Sequence, residues 1–197
     1  MTKKKYLILL LAFSSCSSID FSYFQSIYDS LSRNNIDITE SYIKSAPYSF
    51  IKVSNSKNDA IFVLSSISEN GVYTWIGSNY EVIKTLDGLI IETQGLESDI
   101  KLYPPQLKSL DSLITFSTFM DLSNPELIYE KIQFNRISSE LLITEQGNMQ
   151  VLIIERRSPN IGWKSKDKFI FKDGSVYKTI QEIHPFRDRL EITFYLK

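Results

Sequence analysis

His184 is the only histidine in the chain, and it stands beside Pro185. A histidine that moves protons or binds metal works with a positioned carboxylate or with further ligands. Glu182 lies two residues earlier, and positions two apart share a face on a strand. The two side chains meet only if a strand runs that far, and otherwise the lone imidazole reads as structural. The chain has no glycine-flanked serine nucleophile, no glycine-rich phosphate loop and no paired-histidine zinc motif. Its acids are numerous but scattered. Asp87 and Asp173 precede glycines, which turn chemistry explains. Asp20, Asp29, Asp37 and Asp59 fall where helices, caps or loops are expected. A glycosidase needs two acids that meet in space, and no spacing marks such a pair. The residues therefore point to no enzyme, no cofactor and no metal.

Aromatic side chains offer a different chemistry, because an indole or phenol face suits the C–H patches of a sugar ring. Trp75 lies mid-strand, where core packing explains it. Trp163 follows Pro159-Asn160-Ile161-Gly162, a loop by composition. Trp163, Trp75 and Tyr48 are the candidates for contact with glycan or a protein partner.

The single cysteine, Cys16, excludes an internal disulfide. Before it come a basic Lys3-Lys4-Lys5, an apolar run from Tyr6 to Phe13, and the small residues Ser14-Ser15. That order is a secretory signal, and the run falls short of the ~20 apolar residues that span a bilayer. Together with the cysteine it resembles the lipobox of bacterial lipoproteins. The resemblance implies cleavage before Cys16 and long acyl chains, palmitate among them, on that residue. At about 0.8 kcal/mol per buried methylene, two or three such chains make escape from the membrane negligible. Ser17 follows where an aspartate commonly retains such proteins at the inner membrane, so the resemblance implies the outer membrane, facing the periplasm. The expected organisation is a signal peptide at 1–15, a lipidated tether at 16–20 and one β-rich domain at 21–197. Losing residues 1–15 leaves 19 basic residues against 23 acidic, a charge near −4. That balance carries no footprint for nucleic acid.

The elements that must position these residues are mostly strands. An amphipathic segment at 19–34, with Phe21, Phe24, Ile27, Tyr28 and Leu31 at helical spacing, predicts a helix packed on the domain. A second short helix is predicted over 39–44, capped by Thr39 and ending before Pro47. Strands follow at 48–54, 59–68, 72–76, 80–86 and 89–93, punctuated by Asn70-Gly71 and Asp87-Gly88. Pro104-Pro105 marks 95–110 as a long connection. Strands resume at 113–122, 128–137, 141–145, 149–156, 168–172 and 175–183. The last one alternates, with Leu190, Ile192, Phe194 and Leu196 on one face. About ten strands joined by hairpins predict a mainly β protein, an antiparallel sandwich or a partly closed barrel.

The middle of the chain resembles a known family. Ser45-Ala46-Pro47-Tyr48-Ser49-Phe50-Ile51-Lys52-Val53 leads into Ala60-Ile61-Phe62-Val63-Leu64, then Glu69-Asn70-Gly71 and Tyr73-Thr74-Trp75. Trp163, Asp173-Gly174, Val176, Gln181 and Pro185 continue the pattern. The order resembles the YjbF/GfcB lipoproteins, which are encoded with exopolysaccharide and group 4 capsule genes. Ile183-His184 stands where that family usually has a glycine and an acid. The resemblance implies an outer-membrane lipoprotein that assists polysaccharide secretion by non-catalytic binding. Its partners would be the membrane, secretion proteins and the polysaccharide itself. Two other readings stay open: a periplasmic lipid or glycan carrier with a cavity in a half-open sheet, and a glycan hydrolase.

Overall fold

Thr39 caps the helix that the sequence predicts. Its hydroxyl accepts the Tyr42 N–H at 3.3 Å, and the helix α1 runs Glu40–Ser45, ending two residues before Pro47. The computed structural model describes residues 37–103, 115–144 and 147–197. The signal peptide, Cys16, the tether and the helix expected over 19–34 lie outside the described residues.

Twelve strands follow α1. They are β1 (Phe50–Ser54), β2 (Asp59–Ile67), β3 (Val72–Ile76), β4 (Val82–Leu86), β5 (Leu89–Gln94) and β6 (Ile100–Tyr103), then β7 (Thr115–Leu122), β8 (Leu127–Thr144), β9 (Gly147–Ser158), β10 (Trp163–Lys172), β11 (Ser175–Gln181) and β12 (Leu190–Tyr195). Each pairs antiparallel with the next, and β12 returns to β1 to close a barrel. In that seam Ile51 faces Phe194 and Val53 faces Ile192. Closure removes the open edges that a sandwich would leave. The fold is therefore a fully closed barrel of twelve strands, which corrects the expected sandwich or partly closed barrel of about ten.

The hairpins have local causes. Asp87 and Gly88 adopt φ of 48° and 84°, and Asp173 and Gly174 adopt 50° and 82°. Two successive positive φ values make the type I′ turn that Asp-Gly favours. Gly88 is also needed for space: a Cβ there would lie 2.6 Å from Val176 Cγ2. The β4–β5 turn thus presses against β11, which is not its neighbour in the sheet. Gln181, at the end of β11 and fully buried, ties the two walls together. Its Oε1 accepts the Ile90 N–H at 3.1 Å, and its Nε2 donates to the Gly88 carbonyl at 2.7 Å. The β4–β5 turn and the end of β11 are therefore in contact across the barrel.

Three expectations at strand level need correction. The connection expected over 95–110 contains β6, whose burial alternates through buried Ile100 and Leu102 and exposed Lys101. The strands expected at 128–137 and 141–145 are one strand, β8, which carries a register shift at Arg136/Ser138 instead of a break. Trp163, expected in a loop, is the first residue of β10 and pairs with Ser158.

The core fills the barrel. Ile51, Trp75, Ile83, Leu89, Ile90, Met120, Ile132, Phe169 and Ile192 are wholly buried there, while Phe50, on the opposite face of β1 from Ile51, is buried against Tyr42 of α1 and Tyr195 of β12. On β12, Ile192 and Phe194 point inward as the alternation predicts, while Leu196, past the strand end, is exposed. Among the described residues no helix is long and apolar enough to cross a membrane.

Candidate functional site

Polar side chains enter the barrel from β9 and β10, where Arg156 pairs in register with Ser165. Arg156 and Asp167 are both fully buried, and Arg156 Nη2 donates to Asp167 Oδ2 at 2.6 Å. The second oxygen of Asp167 accepts the Glu182 N–H at 2.9 Å. The guanidinium also lies over the rings of Phe134 and Trp163, 5.1 and 5.6 Å from their centroids. Burial pushes the Asp167 carboxyl above the usual carboxylate range, against the opposing pull of Arg156 and the Glu182 N–H. Around this pair, Trp163 Nε1 donates to Glu182 Oε1 at 2.9 Å, and the Ser158 hydroxyl donates to the buried Glu130. Asp167 and Glu130 are engaged inside the barrel, while the half-buried Glu182 also pairs with the exposed Arg189 at 3.4 Å. Arg156 Nε, Arg156 Nη1 and the Ser165 hydroxyl find no partner among the described residues, so the cluster is held at a cost.

His184 lies beyond the end of β11 and does not share a strand face with Glu182. It is buried. Its Nε2 lies 3.0 Å from the Ser123 carbonyl, and its Nδ1 accepts the Phe186 N–H at 3.3 Å. The carbonyl can only accept, so the proton belongs on Nε2 and the ring is neutral. Burial lowers its pKa, opposed by the Ser123 bond and reinforced by the Arg187 charge. Among the described residues no group of three or more His, Cys, Asp or Glu side chains could hold a metal ion.

The aromatic candidates do not form one exposed surface. Trp75 is wholly buried, donates from Nε1 to Thr85 Oγ1 at 2.9 Å and meets the Phe194 ring edge-on. Trp163 is only 7% exposed. Tyr48 is half-buried just before β1. Two shallow clefts of about 150 and 190 Å³ lie side by side near the β4–β5 and β10–β11 turns, sharing Ser175, Val176 and Leu196. Both fall below the ~300 Å³ at which small-molecule pockets begin.

The outer wall differs from the interior. Phe119, Ile128 and Tyr129 on β7 and β8 are exposed beside Tyr103 of β6. A second apolar group, Leu141, Leu142 and Ile143, sits near the tip of the β8–β9 hairpin. Sequence reasoning missed both groups, although Phe119 carried a signal. It falls out of phase with Thr118, Met120 and Leu122, which point inward.

A closed, filled barrel whose unburied apolar side chains lie on the outer wall is a scaffold suited to surface contact. Residues 18–195 match the family described as group 4 capsule polysaccharide lipoprotein GfcB, YjbF, and the chain belongs to that family. A solved structure of similar fold is that of the hypothetical lipoprotein YmcC from Escherichia coli (K12), at 16% identity with a TM-score of 0.69. The match covers 93% of this chain and 98% of that one, and at this identity it shows a common fold alone. No curated protein sequence matches the chain.

Proposed function

We propose that this protein is an outer-membrane lipoprotein, held through Cys16 and facing the periplasm. There it assists the secretion or assembly of an exopolysaccharide or capsule by binding, without catalysis. Its partners are secretion proteins or the polysaccharide. The observation that carries this reading is the contrast between interior and surface. The interior is packed with apolar side chains, and Arg156, Asp167 and Trp163 are tied into bonds there, while aromatic and aliphatic side chains stand unburied outside. The two clefts at the β4–β5 and β10–β11 turns are each smaller than a carrier's cavity would be. A hydrolase would need two acids facing a cleft, whereas Asp167 and Glu130 serve internal bonds and Glu182 is shared between Trp163 and Arg189. The family description, a group 4 capsule polysaccharide lipoprotein, supports the link to capsule polysaccharide.

Deleting the gene should reduce surface polysaccharide, and the wild-type gene should restore it. Cys16→Ser should accumulate as an uncleaved, unlipidated precursor and fail to restore it. Undiminished polysaccharide in the deletion strain would overturn the reading.

A further inference from the structure

Three adjacent strands place aromatic rings together on the outer wall. Tyr103 of β6 pairs in register with Phe119 of β7, and Phe119 pairs with Lys131 of β8. The rings of Tyr103 and Tyr129 lie parallel within 8°, with centroids 5.4 Å apart. Phe119 meets Tyr129 at 60° and 5.8 Å. The rings pack on one another, yet Tyr129 remains 62% exposed and Phe119 46%.

The backbone under Tyr129 is strained. Its φ is 54°, in the left-handed region that bulky residues rarely adopt. Asp121 on β7 holds it there, because Oδ1 accepts the Tyr129 N–H at 2.9 Å. The other oxygen accepts the Tyr103 hydroxyl at 2.6 Å, so one carboxylate fixes both tyrosines. These bonds keep the Asp121 carboxyl below the usual carboxylate range, and they push the Tyr103 phenol up to about 12. Both groups keep their neutral-pH forms. Strain that turns a ring toward solvent gains nothing for the core, and such strain concentrates at functional sites.

We propose that this face binds polysaccharide: the exposed rings of Tyr129 and Phe119 stack on the C–H faces of sugar rings, and Lys101 and Lys131 meet their oxygens. Asp121 is a positioning residue. The inference rests on the proposed role in polysaccharide secretion and deepens it by naming the site. Charge is interleaved with the rings. Lys101 pairs with Asp121 in register, and its Nζ lies 5.1 Å from the centre of the Tyr103 ring. The core of a protein interface is depleted in charge, and lipid contact would strip water from an ionised Asp121. A sugar presents apolar faces and hydroxyls side by side, which this mixture fits. The group near the hairpin tip, Leu141, Leu142 and Ile143, offers no ring to stack on and serves as a control surface.

The test is affinity electrophoresis of the full-length lipidated protein in detergent. The gels contain surface polysaccharide extracted from the strain that encodes the protein. Wild type should be retarded. Tyr129→Gly and Phe119→Ala should each weaken retardation about tenfold, the loss of one stacked ring. Tyr129→Phe and Leu141→Ser should be retarded like wild type. Glycine suits φ 54°, so Tyr129→Gly should keep the wild-type melting temperature while losing binding, which a merely structural ring would not allow. Absent retardation of wild type, or retardation of Phe119→Ala or Tyr129→Gly as strong as that of wild type, would overturn the proposal. So would a photo-cross-link from position 119 to a secretion protein without retardation by polysaccharide. The deletion strain reads the underlying role separately. If retardation holds but deletion leaves surface polysaccharide unchanged, the site stands and the secretion role falls. If deletion lowers it and retardation is absent, the role stands and the site falls.

Discussion

Replacing Asp167 with asparagine should destabilise the barrel severely without changing its shape. Asp167 and Arg156 are both fully buried and are joined at 2.6 Å. Asparagine keeps the volume and can still accept the Glu182 N–H that Asp167 Oδ1 now takes. It removes the opposing charge hydrogen-bonded to the guanidinium, so that among the described residues the arginine is left against the rings of Phe134 and Trp163. Breaking one side of a buried pair costs about 3–5 kcal/mol, against a typical domain stability of about 5–15 kcal/mol. For a chain of this size each kcal/mol moves the melting temperature by about 2–4 °C, so the drop should be about 6–20 °C. Arg156→Met in the Asp167→Asn background removes the stranded charge and keeps a thioether against the two rings. That double variant should recover part of the loss, because burying the pair was itself expensive. Thermal unfolding followed by circular dichroism reads all three proteins. A single variant within about 2 °C of wild type, or a double variant no better than the single, would refute the reasoning.

Two further outcomes follow from the packing. Phe194 is 4% exposed and meets Trp75 edge-on, so Phe194→Ala should cost about 3–5 kcal/mol; an unchanged urea midpoint would show that this face of β12 is not part of the core. His184 has a folded pKa below its ordinary value of about 6.5, so the unfolded chain takes up its proton first on acidification. Its contribution is intact above about pH 6.5 and is lost as pH falls from there toward the folded value, by at most about 1.4 kcal/mol per pH unit. The stability difference between wild type and His184→Gln should therefore narrow between about pH 7 and pH 5, and a constant difference in pH-dependent urea titrations would contradict this.

The parts of the fold legible in the sequence are those with local causes. Asp87-Gly88 and Asp173-Gly174 announce type I′ turns because few other pairs tolerate two positive φ values. Thr39 announces the cap of α1, and the alternation of Ile192 with Phe194 announces the buried face of β12. What the sequence hid depends on distant partners. β6 is four residues long beside Pro104-Pro105, too short for its alternation to outweigh the turn signal. β8 runs through its irregularity because β9 supports it from Gln133 to Thr144, and no local pattern records that support. Closure joins β1 to β12 across the whole domain. Trp163 reads as a loop residue because Gly162 precedes it, while the groups it packs on are Arg156 of β9 and Glu182 just past β11. The outer aromatic face was hidden for the same reason. Tyr103, Phe119 and Tyr129 are separated in sequence and become neighbours only when β6, β7 and β8 align.

The claim that the protein works by contact and not by catalysis is tested most directly by complementation. A deletion strain would carry single replacements His184→Ala, Glu182→Ala and Glu130→Gln, none of them on the outer aromatic face, and surface polysaccharide would be measured at matched protein abundance and localisation. Most single truncations at a contact surface cost little, whereas losing one essential acid or base removes about 10²–10⁴-fold of rate. Each variant that folds and reaches the envelope should therefore restore most of the surface polysaccharide. One replacement that abolishes secretion, with fold, abundance and localisation intact, would contradict the account and place a catalytic group in the protein.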